Sequence, residues 1–319
     1  FLHLIVEVVY YPGKQLSIDE AMVLWRGRLV FRQDVKSKRH KYGLKLYSVH
    51  EPDGLTIKFK VYGGKGDELS GKGHASKVVM YLMQDMLRNG HSLYLDKFYN
   101  SFSLASELLA KNTYCTGTLQ TNLKLNPNHV LSTKLKTGEV VAQFAEGVTI
   151  SKWKDKRLVL YITTEHENDM VSITSKRGQE RKKPFPIVQY NAHMKGVDRS
   201  DQMMAYYPFE RKTLRWYKKI FVHVYQMLIL NAFHLYNMHG VGNRKKKPFY
   251  EFRMELLESI LPPQKPVRAL PPARNPVHEL TKNEEKDAKG ATRRKRCRMC
   301  YKEGSKRKST FVCSGCPDK

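Results

Sequence analysis

Acidic residues are scarce in this chain of 319: Asp and Glu number 30 against 57 Lys and Arg, a formal charge of +27. A balance this basic favours a polyanionic partner, because each phosphate neutralised releases condensed counterions. Nucleic acid is the first candidate and an acidic membrane surface the second. No run of about 18 apolar residues is present, which argues against a membrane span. Phe1 to Tyr10 is apolar but contains Glu7 and lacks a basic leader or a small-residue cleavage site, so it does not form a signal peptide. Cysteines number only five, four of them in two close pairs, which fits an intracellular metal site better than a disulfide framework. The Gly- and Lys-rich loop Gly63 to Gly73 resembles a phosphate cradle only loosely and has no Gly-Lys-Ser/Thr at the required spacing, so a nucleotide P-loop is not expected. An aromatic RNP-type pattern is missing too, which leaves an RNA-binding reading without support. Apolar residues are not lacking: at 41%, with 18 Tyr and 13 Phe, they suffice to bury a core. The length allows about two domains. With no Met at the start and a Cys pair just before Lys319, both ends are expected to be cut edges of a longer protein.

In chain order, Leu16 and Ile18 share a face of a first strand that carries Asp19 near its end. A basic connection follows, with Arg26, Arg28, Lys38, Arg39 and Lys41. Leu44 and Leu46 alternate before Asp53-Gly54, and Leu55, Ile57, Phe59 and Val61 alternate after it, a hairpin signal. Val79, Leu82, Met83, Met86 and Leu87 recur at helical spacing up to Asn89-Gly90. A short strand, His91 to Leu95, then delivers Asp96, and Asn100-Ser101 caps a helix with Leu104, Leu108 and Leu109 on its buried stripe. Tyr114 to Leu119 is a further strand. Three strands, helix, strand, helix, strand is the order of a ribonuclease-H-like α/β core, in which the first and fourth strands are neighbours. Asp19 and Asp96 therefore converge at a strand end beside a cleft.

Residues 122–186 break that rhythm with strand-like runs and many Lys, and are expected to form a β-rich insertion; Trp153 within it is a candidate DNA contact or part of a solvated basic face. Met194 to Tyr207 then places Asp198 and Asp201 three apart, on one face if helical. Alone, this pair reads either as a solvated acidic turn or as a cation site. Tyr217 to Leu235 continues as an apolar-periodic helix whose His223 and His234 are read as packing residues. A short helix over Phe252 to Leu261 and a Pro-rich, charged linker over 262–292 follow. Cys297-x2-Cys300 and Cys313-x2-Cys316 supply four thiolates, enough for one tetrahedral Zn²⁺. Cys115, inside a strand, is read as packing.

Taken in order, Ser17-Ile18-Asp19-Glu20-Ala21-Met22, Trp25-Arg26-Gly27-Arg28, Lys38-Arg39-His40-Lys41-Tyr42-Gly43-Leu44-Lys45, Leu95-Asp96-Lys97-Phe98-Tyr99-Asn100-Ser101 and Gly196-Val197-Asp198-Arg199-Ser200-Asp201-Gln202 resemble the piggyBac transposase family and its transposable-element-derived members. The resemblance keeps order and approximate spacing over most of the chain. It implies a DDE-type catalytic domain with a ribonuclease-H-like mixed sheet and a β-rich insertion, its catalytic aspartates falling on Asp19, Asp96 and Asp198 and an additional acid on Asp201. It also implies Mg²⁺ or Mn²⁺ as cofactor, held by the first three, and double-stranded DNA as partner, both transposon ends and TTAA targets. The implied reaction is cut-and-paste transposition in the nucleus, by a protein that is a homodimer when full length. The four cysteines resemble the first half of the family's zinc cross-brace. Two departures stand out: Lys97 where the family usually has Asn, its ammonium either competing with a metal ion or pointing away, and Asp34-Val35-Lys36 where an aromatic-apolar-Pro run is usual.

The expected organisation is thus 1–121, first part of the catalytic domain; 122–186, the insertion; 187–261, its helical completion; 262–292, linker; and 293–319, a partial zinc module. Arg26, Arg28, Lys38, Arg39 and Lys41 are candidate DNA-backbone contacts. The competing expectation is a domesticated DNA-binding or chromatin protein that keeps this fold and does not cut.

Overall fold

A computed structural model of the chain describes residues 8–36, 38, 40–174, 178, 180–209, 212–239, 246–262, 280–296, 304 and 308–313. It falls into two compact units, Phe1–Met254 and Glu255–Lys319. The first is a mixed α/β fold. Its strands are β1 (Gln15–Leu24), β2 (Gln33–Asp34), β3 (Tyr42–His50), β4 (Thr56–Val61), β5 (Ser92–Leu95), β6 (Tyr114–Thr118), β7 (Val140–Ala145), β8 (Val148–Lys154) and β9 (Leu158–Thr163). All nine form one sheet in the order β2-β3-β1-β5-β6-β9-β8-β7, with β4 also on β3. β1–β5 and β5–β6 are parallel and the other pairs antiparallel. The first and fourth long strands are neighbours, as the order of elements predicts.

Alternation along the strands assigns the two faces. Leu16 and Ile18 of β1, Val49 of β3, and Leu93 and Leu95 of β5 are fully buried. They pack with Val78, Val79, Leu82 and Met83 of helix α1 (His74–Met83) and Leu104, Ala105 and Leu108 of α2 (Phe102–Ala110). The Ser101 hydroxyl accepts the Leu104 N–H at 3.2 Å and starts α2. Helix α1 stops at Met83, short of the predicted Asn89-Gly90. The chain has to turn there into β5, and the Arg88 N–H bonds the Lys111 carbonyl at 2.8 Å. On the opposite face, Ala21, Val23, Leu44 and Leu46 bury Val197 of α5 (Gly196–Tyr206).

The segment 122–186 is β-rich, but three of its strands, β7 to β9, continue the main sheet through Thr116↔Thr163. Only β10 (Met170–Thr174) and β11 (Glu180–Pro184) form a separate hairpin. A short helix α3 (Asn128–Ser132) precedes them and α4 (Phe185–His193) follows. Trp153 is buried against Tyr161 and Ile187, so it packs the fold and is not a DNA contact. Helix α6 (Trp216–Met238) buries Met227, Leu230 and Phe233, whereas Tyr217 and Phe221 near its start are exposed. Asn231 ties this helix to β4 by bonding both the N–H and the carbonyl of Thr56, at 2.9 and 2.7 Å. Cys115 packs in the core as expected.

Helix α7 (Phe249–Ile260) takes the place of the shorter helix predicted there. In the second unit, β12 (Leu280–Lys282) pairs with β15 (Phe311–Cys313), and β13 (Lys295–Arg296) with β14 (Lys308–Ser309). Residues 280–292, which charge alone marks as linker, thus carry paired backbone. Cys297, Cys300 and Cys316 lie outside the described residues, and Cys313 is described only as a strand position.

Asn100 clamps the ends of β5 and β6 by donating to the Leu95 and Thr118 carbonyls, each at 2.9 Å. A Cβ on Gly117 would fall 1.9 Å from the Leu95 carbonyl oxygen. Gly117→Ala should therefore push β5 and β6 apart and cost about 2–3 kcal/mol, to be read from urea unfolding.

Candidate active site

The last β1–β5 pair is Ile18↔Leu95, so Asp19 and Asp96 occupy the next positions side by side, on the face opposite Ile18. Asp19 lies in the middle of β1 and not near its end; β5 stops short beside it. The third acid arrives on α5, whose first residue, Gly196, touches the sheet. A Cβ there would meet the Glu51 carbonyl oxygen at 2.4 Å and Ser17 Oγ at 2.6 Å. This contact lays the helix N-terminus over β1 and β3, with Asp198 in the first turn and Asp201 one turn on. Asp19, Asp96 and Asp198 then line one cleft together with Tyr190, Asn191, Met194 and Lys195.

Asp96 is oriented by the Lys97 backbone N–H and by Thr118 Oγ1, which donates at 3.3 Å. The Lys97 side chain itself is exposed, so of the two alternatives at this departure it points to solvent. A different cation enters the cluster. Lys38 Nζ lies 2.7 Å from Asp19 Oδ2 and 3.5 Å from Asp198 Oδ1, with Lys38 and Asp19 only 17% and 15% exposed. Asp198 is 67% exposed. Burial, assisted by the neighbouring Glu20 carboxylate and opposed by Lys38, pushes Asp19 up to about 6. Asp201 is pushed up to about 7 by burial and by the charges of Asp198 and Asp19, again against Lys38. Burial works to lower the Lys38 ammonium, but Asp19, Asp198 and Asp201 outweigh it and hold it above the usual lysine range. Burial also raises Glu20, yet hydrogen bonds to Asp19, Lys45 and Tyr99 together with the Lys45 charge, 3.2 Å away, leave it below the carboxylate range. Tyr190 is pushed up to about 12 by burial and by the three aspartates facing it.

Among the described residues, no group of three His, Cys, Asp or Glu side chains is arranged to hold a metal ion. The donor chemistry nevertheless fits a hard divalent cation. Asp19, Asp96 and Asp198 offer only oxygen, and a positive group already bridges two of them.

Of the basic residues expected on DNA, Arg26, Arg28 and Lys41 are exposed, Arg39 lies outside the described residues, and Lys38 turns inward onto the acids. His234 Nδ1 sits 3.4 Å from Asp53, in keeping with a packing role. Tyr190 and Asn191 were not picked out by motif. Their signal is helical spacing: each stands four residues before another cleft residue, Met194 and Lys195.

A family model described as Transposase IS4 matches residues 5–233, which include all four acids. The human PiggyBac transposable element-derived protein 3 is 22% identical, over 94% of this chain and 52% of its own length. The human PiggyBac transposable element-derived protein 2 is also 22% identical, over 70% of this chain and 40% of its own. Among solved structures, a cryo-EM piggyBac transposase synaptic complex with hairpin DNA superposes with a TM-score of 0.71 at 25% identity, covering 78% of this chain and 52% of that one. The chain thus spans about half the length, or less, of these relatives.

Proposed function

The chain belongs to the piggyBac transposase family, and from that premise we propose that it is the catalytic part of a DNA transposase with a ribonuclease-H-like core. One observation carries the reading: three aspartates from elements far apart in sequence face one cleft, in a chain of net charge +27. Asp19, Asp96 and Asp198 would hold Mg²⁺ or Mn²⁺, with Asp201 supporting from behind. Such ions supply activation of the attacking water or 3′-hydroxyl and neutralisation of the leaving oxygen. The chain's own residues position the acids: Thr118 and the Lys97 N–H fix Asp96, and Gly196 seats the helix bearing Asp198. Arg26, Arg28 and Lys41, which are exposed, would hold the phosphate backbone of duplex DNA. On this reading the full-length protein is a nuclear homodimer that cuts transposon ends and joins them at TTAA targets. The Cys297, Cys300, Cys313 and Cys316 module would bind Zn²⁺ and contact those ends.

The second reading, a domesticated DNA-binding protein that does not cut, is favoured by the Lys38 ammonium inside the acid cluster. Labelled duplexes carrying transposon-type ends, incubated with the full-length protein in Mg²⁺, Mn²⁺ or EDTA, separate the two. Nicks that depend on metal support the transposase. DNA that is bound, with the steep salt dependence of phosphate contacts, but never nicked supports the second reading.

A further inference from the structure

Lys38 belongs to a basic run, 36–41, whose charges would ordinarily face solvent, yet its side chain is 17% exposed and reaches two of the three cleft acids. Inside a protein such a pair is costly to desolvate and is a poor source of net stability. Its place is therefore better explained by what it does to the acids. Asp19, Asp198 and Asp201 repel one another, and without a cation one of them has to take up a proton or move away. Nearer cations exist in sequence, but Lys195 sits at the cleft rim and Arg199 is spent on the Pro52 carbonyl at 2.6 Å.

We propose that Lys38 is a built-in stand-in for the catalytic metal: its ammonium holds Asp19 and Asp198 together in the metal-free protein and is displaced when a divalent ion loads. This rests on the reading of Asp19, Asp96 and Asp198 as metal ligands. Lys38 and the ion compete for the same carboxylate oxygens, so Lys38 sets a threshold on metal affinity. Once released, it lies beside the cleft through which a phosphodiester would enter. It is a positioning residue and not a catalytic one.

The test is Mn²⁺ binding by the full-length protein, followed by electron paramagnetic resonance without DNA, so that no activity is needed. Lys38→Met should bind Mn²⁺ at least about tenfold more tightly than the unaltered protein, the equivalent of about 1.4 kcal/mol. In the metal-free state it should melt at lower temperature, and Mn²⁺ should recover the loss. Lys38→Arg, which keeps the charge and guards against a folding artefact, should restore the weaker binding. Equal or weaker Mn²⁺ affinity in Lys38→Met overturns the stand-in role while leaving the metal site intact. Mn²⁺ binding that is indifferent to Asp96→Asn in every background overturns the metal-ligand reading itself.

Discussion

Asp19→Asn in the full-length protein is expected to slow metal-dependent DNA cleavage by about 10³-fold or more while changing duplex affinity by less than about twofold. The first figure follows from the several kcal/mol of charge stabilisation that a metal ligand underwrites, converted at about 1.4 kcal/mol per decade. The second follows from the proposed source of affinity: on that reading phosphate contacts come from the basic surface, and a cleft acid adds none. Asn preserves the shape of Asp19 and one oxygen but removes the charge, and unchanged duplex affinity in the same preparation separates lost chemistry from lost folding. Gel assays of nicking and of binding, run on one preparation, check both halves. A variant that cuts at near-parental rate would remove Asp19 from the site, whereas equal loss of cutting and binding would show that it supports the DNA surface instead.

How much of this site is legible in the linear chain depends on the range of the contact concerned. Asp19 and Asp96 are legible because β1 and β5 have clean strand patterns, and their parallel adjacency follows from the element order that the α1 and α2 crossovers impose. Asp198 and Asp201 are legible as a pair because three residues is a helical spacing. Lys38 is not. Periodicity says nothing about a lone ammonium in an irregular connection, and its neighbours in sequence are all basic. It turns inward because three acids from β1 and α5 wait there, a fact of tertiary structure only. The continuation of the sheet through β9, β8 and β7 is hidden for a related reason. Strand runs in 140–163 are visible, but which sheet edge they join is decided by β6–β9 pairing across a long loop. Trp153 similarly looks like a free aromatic among lysines until Tyr161 and Ile187 cover it.

The same acid cluster should make the metal-free protein's stability respond to pH in an unusual way, and two substitutions should expose it. Asp201 is raised from 3.8 to about 7 on folding, so the folded state binds the extra proton. Its contribution is fully present below about pH 3.8 and is lost as pH rises through 7. Ionised Asp201 thereby costs up to about 4 kcal/mol at pH 8, at about 1.4 kcal/mol per unit. His50 works in the opposite sense. It is lowered from 6.5 to about 3 by burial, then by the charges of His223 and His234. Its contribution is present above pH 6.5 and is lost as pH falls towards 3, up to about 5 kcal/mol. The two slopes are similar in size and overlap between pH 4 and 6.5, so in the unaltered protein they largely cancel there. Asp201→Asn removes the acidic slope: urea midpoints in EDTA should rise by about 1 M or more at pH 8, hardly change at pH 4, and climb with pH up to about 6.5. His50→Gln, which keeps a partner for Thr56 Oγ1 at the position now 2.8 Å from His50 Nε2, should tilt the profile the other way. Parallel profiles for all three proteins would mean that neither group changes its protonation on folding. A profile for Asp201→Asn that gains at pH 8 shows that the intact cluster is held ionised against the fold, which is the condition under which a divalent cation binds most favourably.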